Sequence, residues 1–224
     1  LEIGCSTGFN CIALSQMFPA AEIHGIEPDG EAVSVAKSMA AAGHIGNVYF
    51  RQGVGEELPY DEREFDLIIC LTVIEHVLDV ELVIAEICRV LAPGGIVRLE
   101  APNYIWPYEP HLGIWCIPLL GKTFAKLMAV LQGKGSRLSY LDHLKFVTPG
   151  KLEAAFKTCD LDWHNEVETK LRATLAGNAD EVCLRVEPGA LGRLEQLHDR
   201  RNDMEDENDL GFLDALHLER QQCT

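Results

Sequence analysis

Strand-like and helix-like segments alternate along the first hundred residues, and this alternation constrains the fold more than any other feature. Apolar runs at 22–27 (EIHGIE) and 65–71 (FDLIICL) are typical of buried strands, whereas 29–43 and 80–91 have the spacing of one helix face. Strands that are joined through helices run parallel, and the right-handed crossovers cover both faces of the sheet. The sequence therefore predicts an α/β fold with a doubly wound, mostly parallel sheet.

The alternation ends after Pro102. Residues 104–146 are rich in aromatic residues, Pro and Gly, and Thr148-Pro149 starts another helix, which is followed by strand-like segments at 163–170 and 180–187. The chain is thus predicted to divide into an α/β core at 1–103, an inserted lid or subdomain at 104–146, the last helix and strands of the same sheet at 147–187, and an acidic polar tail at 188–224.

Composition narrows the classes of function. The net charge is −16, from 35 acidic and 19 basic residues, so the chain repels nucleic-acid phosphates and anionic lipids, and no apolar run is long enough for stable membrane insertion. The eight cysteines form no CxxC pair, which indicates reduced thiols in the cytoplasm rather than a zinc site. The chain begins inside the first strand, at Leu1, which predicts a missing N-terminal portion.

The first strand runs directly into a glycine-rich turn, Gly4-Cys5-Ser6-Thr7-Gly8. Small residues there allow a ligand to approach the backbone, and the following helix presents free N–H groups. A dinucleotide-binding dehydrogenase needs G-x-G-x-x-G, which would place its third glycine at residue 9. Residue 9 is Phe9, so the glycine spacing argues against that class.

Four segments, each at the end of a predicted strand, together resemble the class I S-adenosylmethionine (SAM)-dependent methyltransferases. They are LEIGCSTG (1–8), GIEPD (25–29), VGEELPYDEREFDLIICLTVIEHV (54–77) and RVLAPGGIVRLEAPN (89–103). The resemblance implies a Rossmann-like sheet of seven strands whose last strand is antiparallel. It also implies SAM as the cofactor and methyl transfer as the reaction.

The resemblance also assigns cofactor-binding roles. Glu2 and the turn residues Gly4, Cys5, Ser6 and Gly8 would hold the methionine part of SAM, and the backbone at Leu71 would accept a hydrogen bond from its ammonium group. Glu27 would hold the ribose. Pro28 would pack beside the adenine, which would be bordered by Gly53, Val54, Gly55 and Glu56. Two residues depart from the family. Ser6 replaces a glycine, which strains the backbone if its φ is positive. Val54 replaces an aspartate that bonds the adenine amino group, which removes about 1 kcal/mol of binding unless Glu56 or Glu57 substitutes for it.

His76 and His111 are the candidate catalytic residues. His76 follows the fourth strand on the substrate side and could accept a proton, although helix capping or packing explains Glu75-His76 equally well. His111 lies among the aromatic residues Tyr104, Trp106, Tyr108 and Trp115. These residues could form a lid over the acceptor, or alternatively a hydrophobic subdomain or a dimer contact. Some relatives bind a metal through a glutamate three residues before the Glu-His pair. That position is Thr72, so no metal is predicted.

The sequence favours a methyltransferase acting on a small-molecule acceptor, with a sugar or lipid-linked saccharide hydroxyl as the expected substrate. The alternative is a non-catalytic binding or scaffold protein of the same fold, which Ser6 and Val54 motivate. Nucleic-acid methylation is disfavoured by the net charge and because the fourth strand ends in LTVIEH rather than N-P-P-Y. The sequence leaves a homodimer open.

Overall fold

The computed structural model describes residues 1–159 and 161–164. Five strands form one parallel sheet in the order β3-β2-β1-β4-β5. They are β1 (Glu2–Ile3), β2 (Ile23–Glu27), β3 (Val48–Gln52), β4 (Phe65–Leu71) and β5 (Leu91–Glu100). The chain builds outward from β1 in one direction and then restarts at β4 on the other side. The strand order therefore reverses between β1 and β4, where ligands bind in sheets of this kind.

Helices cover both faces of this sheet. They are α1 (Phe9–Met17), α2 (Gly30–Ala42), α3 (Val80–Val90) and α6 (Pro149–Thr158). One core cluster joins α1 and α2 to β3, and a second joins α3 and α6 to β1 and β4. Asp29 caps α2 by accepting the N–H of Glu31, and Asp79 caps α3 in the same way.

The predicted doubly wound, mostly parallel α/β fold is confirmed. The sheet has five strands in the described part of the chain, fewer than the seven predicted. The other two predicted strands, at 163–170 and 180–187, lie almost entirely outside the described residues, as does the acidic tail at 188–224. None of the described helices is both long enough and apolar enough to span a bilayer.

The inserted segment, residues 104–146, contains the antiparallel pair β6 (Tyr108–Glu109) and β7 (Ile114–Trp115), followed by α4 (Lys122–Leu131) and the short α5 (Tyr140–His143). It has a hydrophobic cluster of its own, formed by Leu112, Ile114, Cys116, Ala125, Ala129, Leu141 and Leu144. The N–H of Lys145 donates to the carbonyl of Glu75 at 2.6 Å. This bond joins the end of the inserted segment to the turn after β4.

Candidate functional site

The turn between β1 and α1 is held against the rest of the sheet by close packing. The N–H groups of Gly4 and Cys5 both donate to the carbonyl of Ile26, at 2.8 and 3.1 Å. Gly4 and Gly8 have φ of 74° and 78°. A Cβ on Gly4 would lie 2.3 Å from Val73 Cγ2, and one on Gly8 would lie 2.5 Å from Phe50 Cζ. Both positions therefore require glycine, for the backbone angle and for the space.

Ser6 has a φ of 47°, which is the strained case for a residue with a side chain. Its N–H donates to Glu27 Oε2 at 3.0 Å, and the N–H of Asp29 donates to Glu27 Oε1 at 3.2 Å. The left-handed conformation of Ser6 costs about 1–2 kcal/mol, and the bond to Glu27 offsets part of that cost. Glu27 thus ties the turn after β1 to the turn after β2.

Glu2 is buried beneath this turn and is already hydrogen-bonded. Its two carboxylate oxygens lie 2.9 Å from Asn10 Nδ2 and 3.0 Å from Cys11 Sγ. A hydrogen bond with Cys5 and burial raise the pKa of Cys11, so its thiol keeps the proton that it donates. Glu2 therefore fixes the first turn of α1 to β1, and its role toward a cofactor stays a prediction.

The turn after β3 contains the residues predicted to border the base. The N–H of Gly53 donates to the carbonyl of Glu27, which keeps this turn beside β2. Val54 is 44% exposed. Glu56 Oε1 accepts the N–H groups of Leu78 and Asp79, at 2.7 and 3.3 Å, so its carboxylate holds the turn before α3. Pro28 accepts a hydrogen bond from Gln52 Nε2 on its carbonyl.

The turn after β4 carries backbone strain at the edge where the other turns converge. Thr72 has a φ of 53°, which is rare for a β-branched residue. Its N–H donates to the carbonyl of Glu100, and its hydroxyl donates to the carbonyl of Leu71 at 2.7 Å. Strain of this kind accumulates at functional sites, where the surrounding structure maintains it.

Beside this turn, the residues that follow β4 and the inserted segment together form a cluster of four side chains, called here the Glu75 cluster: Glu75, His76, Glu109 and His111. Glu75 Oε1 lies 3.7 Å from His111 Nε2 and 4.0 Å from His76 Nε2. His111 Nδ1 lies 2.6 Å from Glu109 Oε1. Both carboxylates are fully buried. The structure therefore brings the two predicted catalytic histidines together, with their ring centroids 5.3 Å apart.

Burial sets the protonation of this cluster. It raises the pKa of Glu75, and neither of that residue's carboxylate oxygens has a hydrogen-bond partner. Burial, followed by the charge of His111, lowers the pKa of His76. His76 is therefore a neutral imidazole near pH 7, with a nitrogen lone pair that can accept a proton or bind a cation.

The predicted acceptor-side aromatic residues fall into two groups. Tyr104 is fully buried against Phe146, with ring centroids 4.9 Å apart. Trp106 and Trp115 are exposed, and Trp115 packs on Tyr108 at 5.2 Å. Their roles toward an acceptor stay predictions.

Sequence reasoning missed three residues at this edge. Glu109 lies two residues before His111, a spacing that could have indicated the pair. Glu75 was noted only as a capping or packing residue. Tyr140 had no signal in the sequence, yet its ring lies 6.0 Å from that of His76 and 5.5 Å from that of His111.

Comparisons with known proteins agree with this arrangement. A family model described as a methyltransferase domain matches residues 1–143. The chain is 32% identical over 106 residues to a ubiquinone biosynthesis O-methyltransferase of Bradyrhizobium sp. (strain ORS 278), covering 47% of this chain and 40% of that protein. It is 31% identical over 157 residues to a demethylmenaquinone methyltransferase of Shouchella clausii (strain KSM-K16), covering 67% and 64%.

A solved structure gives the same result for the fold. The crystal structure of the YcgJ protein from Bacillus subtilis matches with a TM-score of 0.54 and 26% identity, over 73% of this chain and 61% of that one. The chain spans less than two thirds of each of these relatives. The matched region includes the five strands of the sheet and most of the inserted segment.

Proposed function

This chain belongs to the family of class I SAM-dependent methyltransferases, and from that premise we propose that it methylates a hydroxyl on a small aromatic acceptor of the quinone class. The observation that carries this proposal is the convergence of the strand-end turns with the Glu75 cluster at one edge of the sheet. Two of the relatives are named for ubiquinone biosynthesis and for demethylmenaquinone. They support a quinone-type ring rather than the sugar or saccharide hydroxyl expected from the sequence.

The residues of the β1–α1 turn fit SAM. No side chain caps the N-terminus of α1, where Gly8 is the N-cap residue. The first N–H groups of this helix are therefore free of a side-chain partner and suit the carboxylate of the methionine part. Each oxygen of Glu27 accepts one backbone N–H and keeps a second lone pair for a ribose hydroxyl. When bound, the sulfonium supplies an activated methyl group.

On the acceptor side, the protein has to orient the hydroxyl and remove its proton. We assign proton removal to His76, which is neutral near pH 7 and whose side chain is 38% exposed. Tyr140 packs edge-on against His76 and limits its rotation. His111, held by Glu109, packs edge-on against His76 beside Glu75 and keeps this part of the site polar.

The remaining features of the proposal follow from charge and thiol chemistry. A small-molecule acceptor, and not nucleic acid, suits a chain with a net charge of −16. Six cysteines in the described part of the chain are unpaired thiols, which supports the reducing cytoplasm as the location.

A non-catalytic binding or scaffold protein of the same fold is the second candidate. It is favoured by Ser6, whose positive φ strains the cofactor turn, and by Val54, which offers no carboxylate to the adenine. The two candidates differ in turnover.

The test has two steps. The full chain is first titrated with S-adenosylhomocysteine by calorimetry, and it is then incubated with labelled SAM and a catechol or hydroquinone acceptor. We expect saturable cofactor binding and a methylated product. His76→Ala should retain cofactor binding and lose most turnover, whereas His143→Ala, an exposed histidine on α5, should change neither. Absence of cofactor binding at millimolar ligand contradicts the proposal, and binding without turnover favours the scaffold candidate.

A further inference from the structure

We propose that Glu75, His76 and His111 form a binding site for a divalent transition-metal ion. Each of the three side chains offers one ligand atom, and these atoms all lie within 4.8 Å of one another. The sequence argued against a metal because Thr72 occupies the position of a glutamate that some relatives use. The fold supplies a different third ligand, His111, which comes from the inserted segment.

The first argument is the state of Glu75. Its side chain is fully buried, and neither oxygen has a hydrogen-bond partner. A buried carboxylate without a partner is strongly unfavourable, and such groups are normally paired or coordinate a metal. Lys145 contacts Glu75 through its backbone N–H, which donates to the carbonyl of Glu75 and not to its carboxylate. A cation between the two histidines would compensate the charge.

The second argument is the orientation of His111. Its Nδ1 lies 2.6 Å from Glu109 Oε1, and the other oxygen of Glu109 accepts the N–H of Leu112 at 2.7 Å. Glu109 is therefore fixed, and it holds the imidazole with the proton on Nδ1. Nε2 faces Glu75, 3.7 Å from its Oε1, and is the ring nitrogen available to a metal ion. A histidine that donates to a carboxylate through one nitrogen and binds a metal through the other is the common arrangement at metal sites.

The third argument is access and ligand type. His76 is exposed at the edge of the cluster, so a hydrated ion can enter from its side. Two imidazole nitrogens and one carboxylate suit Zn²⁺, Fe²⁺, Co²⁺ or Mn²⁺ better than Mg²⁺ or Ca²⁺, which prefer oxygen ligands. Metal–ligand bonds of about 2.0–2.2 Å require the three side chains to close by about 1 Å, which the exposed His76 can do.

Three protein ligands leave coordination positions for water or for a substrate hydroxyl. A hydroxyl bound there would lose its proton more readily because the cation lowers its pKa. In the cation-loaded protein, the charge of the ion would thus promote loss of the hydroxyl proton. In the cation-free protein, His76 would accept that proton instead. This inference goes beyond the proposed function, since binding of the ion needs neither cofactor nor acceptor.

The test is a titration of the reduced full chain with Co²⁺, monitored by absorption and calorimetry without SAM or acceptor. Co²⁺ reports its ligands, because d–d bands appear with nitrogen and oxygen ligands and a charge-transfer band appears with thiolates. We expect one saturable site with nitrogen and oxygen ligands. The melting temperature should rise with Co²⁺, since the proposed site exists only in the folded chain.

The variants identify the ligands. Glu109→Gln should weaken Co²⁺ binding about 10–100-fold, as loss of a partner behind a ligand does, and Glu75→Gln and His111→Gln should each weaken it at least as much. His143→Gln is the matched control and should bind like wild type. Melting curves in EDTA check that each variant is folded. The inference is overturned if wild type shows no saturable site, if only the thiolate band appears, or if folded Glu75→Gln and His111→Gln both bind as wild type does.

Discussion

The sheet region, residues 1–100, and the inserted segment, residues 104–146, both contain turns with positive φ, but for different reasons. In the sheet region, Gly4 and Gly8 have neighbouring side chains where a Cβ would stand. In the inserted segment, Gly121 and Gly133 have φ of 87° and 74°, with nothing within 4 Å of a Cβ. The turns at Gly4 and Gly8 are therefore fixed by tertiary packing, whereas those at Gly121 and Gly133 are shaped by the backbone alone.

Strain follows the same division. The non-glycine residues with positive φ in the described part of the chain are Ser6, His44, Arg63 and Thr72, all of them in the sheet region. Two of the four lie in turns of the candidate site. The Glu75 cluster, in contrast, needs both regions, since Glu75 and His76 follow β4 while Glu109 and His111 belong to the inserted segment. Strain at non-glycine residues is therefore found in the sheet region, whereas the Glu75 cluster combines buried carboxylates from both regions.

Gly8→Ala tests the packing of the sheet region and should have the largest effect. The new methyl group would lie 2.6 Å from Phe50 Cε1 and 2.9 Å from Ala36 Cβ, at a φ of 78°. Overpacking costs about 1–3 kcal/mol and the left-handed backbone about 1–2 kcal/mol more. We expect the free energy of unfolding, measured in urea, to fall by about 2–5 kcal/mol.

Gly133→Ala is the matched control in the inserted segment, because it has a similar φ and open space around the Cβ. It should lower the free energy of unfolding by only about 1–2 kcal/mol, which is the backbone term alone. If the two substitutions have equal effects, the distinction between packed and open turns is wrong.

Glu86→Gln tests a polar connection in the sheet region. Glu86 accepts the N–H of Leu58 at 2.8 Å and pairs with Arg89, which in turn donates to the carbonyls of Leu58 and Tyr60. The hydrogen bond with Arg89 holds the pKa of Glu86 below its usual range. Because the pKa is lower in the folded chain, this carboxylate stabilises the fold above its unfolded pKa of about 4.3.

In Glu86→Gln, we expect the free energy of unfolding at pH 7 to fall by about 1–2 kcal/mol, which is the contribution of partly solvated hydrogen bonds to a charged group. The difference from wild type should shrink as the pH falls below about 4, because Glu86 then becomes protonated in the folded chain. Asp142→Asn, which breaks the exposed pair with Lys126 in the inserted segment, should change stability only marginally. A difference for Glu86→Gln that does not depend on pH would contradict the assigned pKa shift.

The sequence predicted the sheet region well because local signals there agree with one another. Apolar runs marked β2 and β4, and the order of the four motifs placed the turns at one edge. The φ of Ser6 could not be predicted, since it depends on how β2 holds the turn. The Glu75 cluster could be predicted only in part, because residues 104–146 have no regular period and their path brings His111 to Glu75 through tertiary packing.

Tyr104→Phe and Tyr60→Phe compare unpartnered hydroxyls in the two regions. Tyr104 in the inserted segment is fully buried and Tyr60 nearly so, and neither hydroxyl has a hydrogen-bond partner. Removing a buried hydroxyl without a partner relieves an uncompensated loss of hydration. We expect each variant to be as stable as wild type or up to about 1 kcal/mol more stable, as measured by urea unfolding. If Tyr104→Phe alone lowers the free energy of unfolding by more than about 1 kcal/mol, the inserted segment supplies a hydrogen-bond partner for the Tyr104 hydroxyl.

Ser6→Gly should have a small effect on stability, because two contributions oppose each other. Glycine removes the strain of a φ of 47°, which stabilises the folded chain by about 1–2 kcal/mol. It also raises the entropy of the unfolded chain, which lowers the free energy of unfolding by about 0.4–1 kcal/mol. The net gain in the free energy of unfolding should therefore lie between about 0 and 1.6 kcal/mol. His44→Gly is the control, since His44 has a φ of 53° at the end of α2, away from the cofactor turn.

Calorimetry with S-adenosylhomocysteine then separates strain from function. The N–H of Ser6 that bonds Glu27 is kept in glycine, so affinity in Ser6→Gly should change less than about tenfold, and His44→Gly should not change it. Adding Val54→Asp should contribute one hydrogen bond, about 1 kcal/mol or roughly fivefold in affinity. A gain of several hundredfold in the double variant would instead mean that the cofactor turn has degenerated, and it would favour the scaffold candidate over the enzyme.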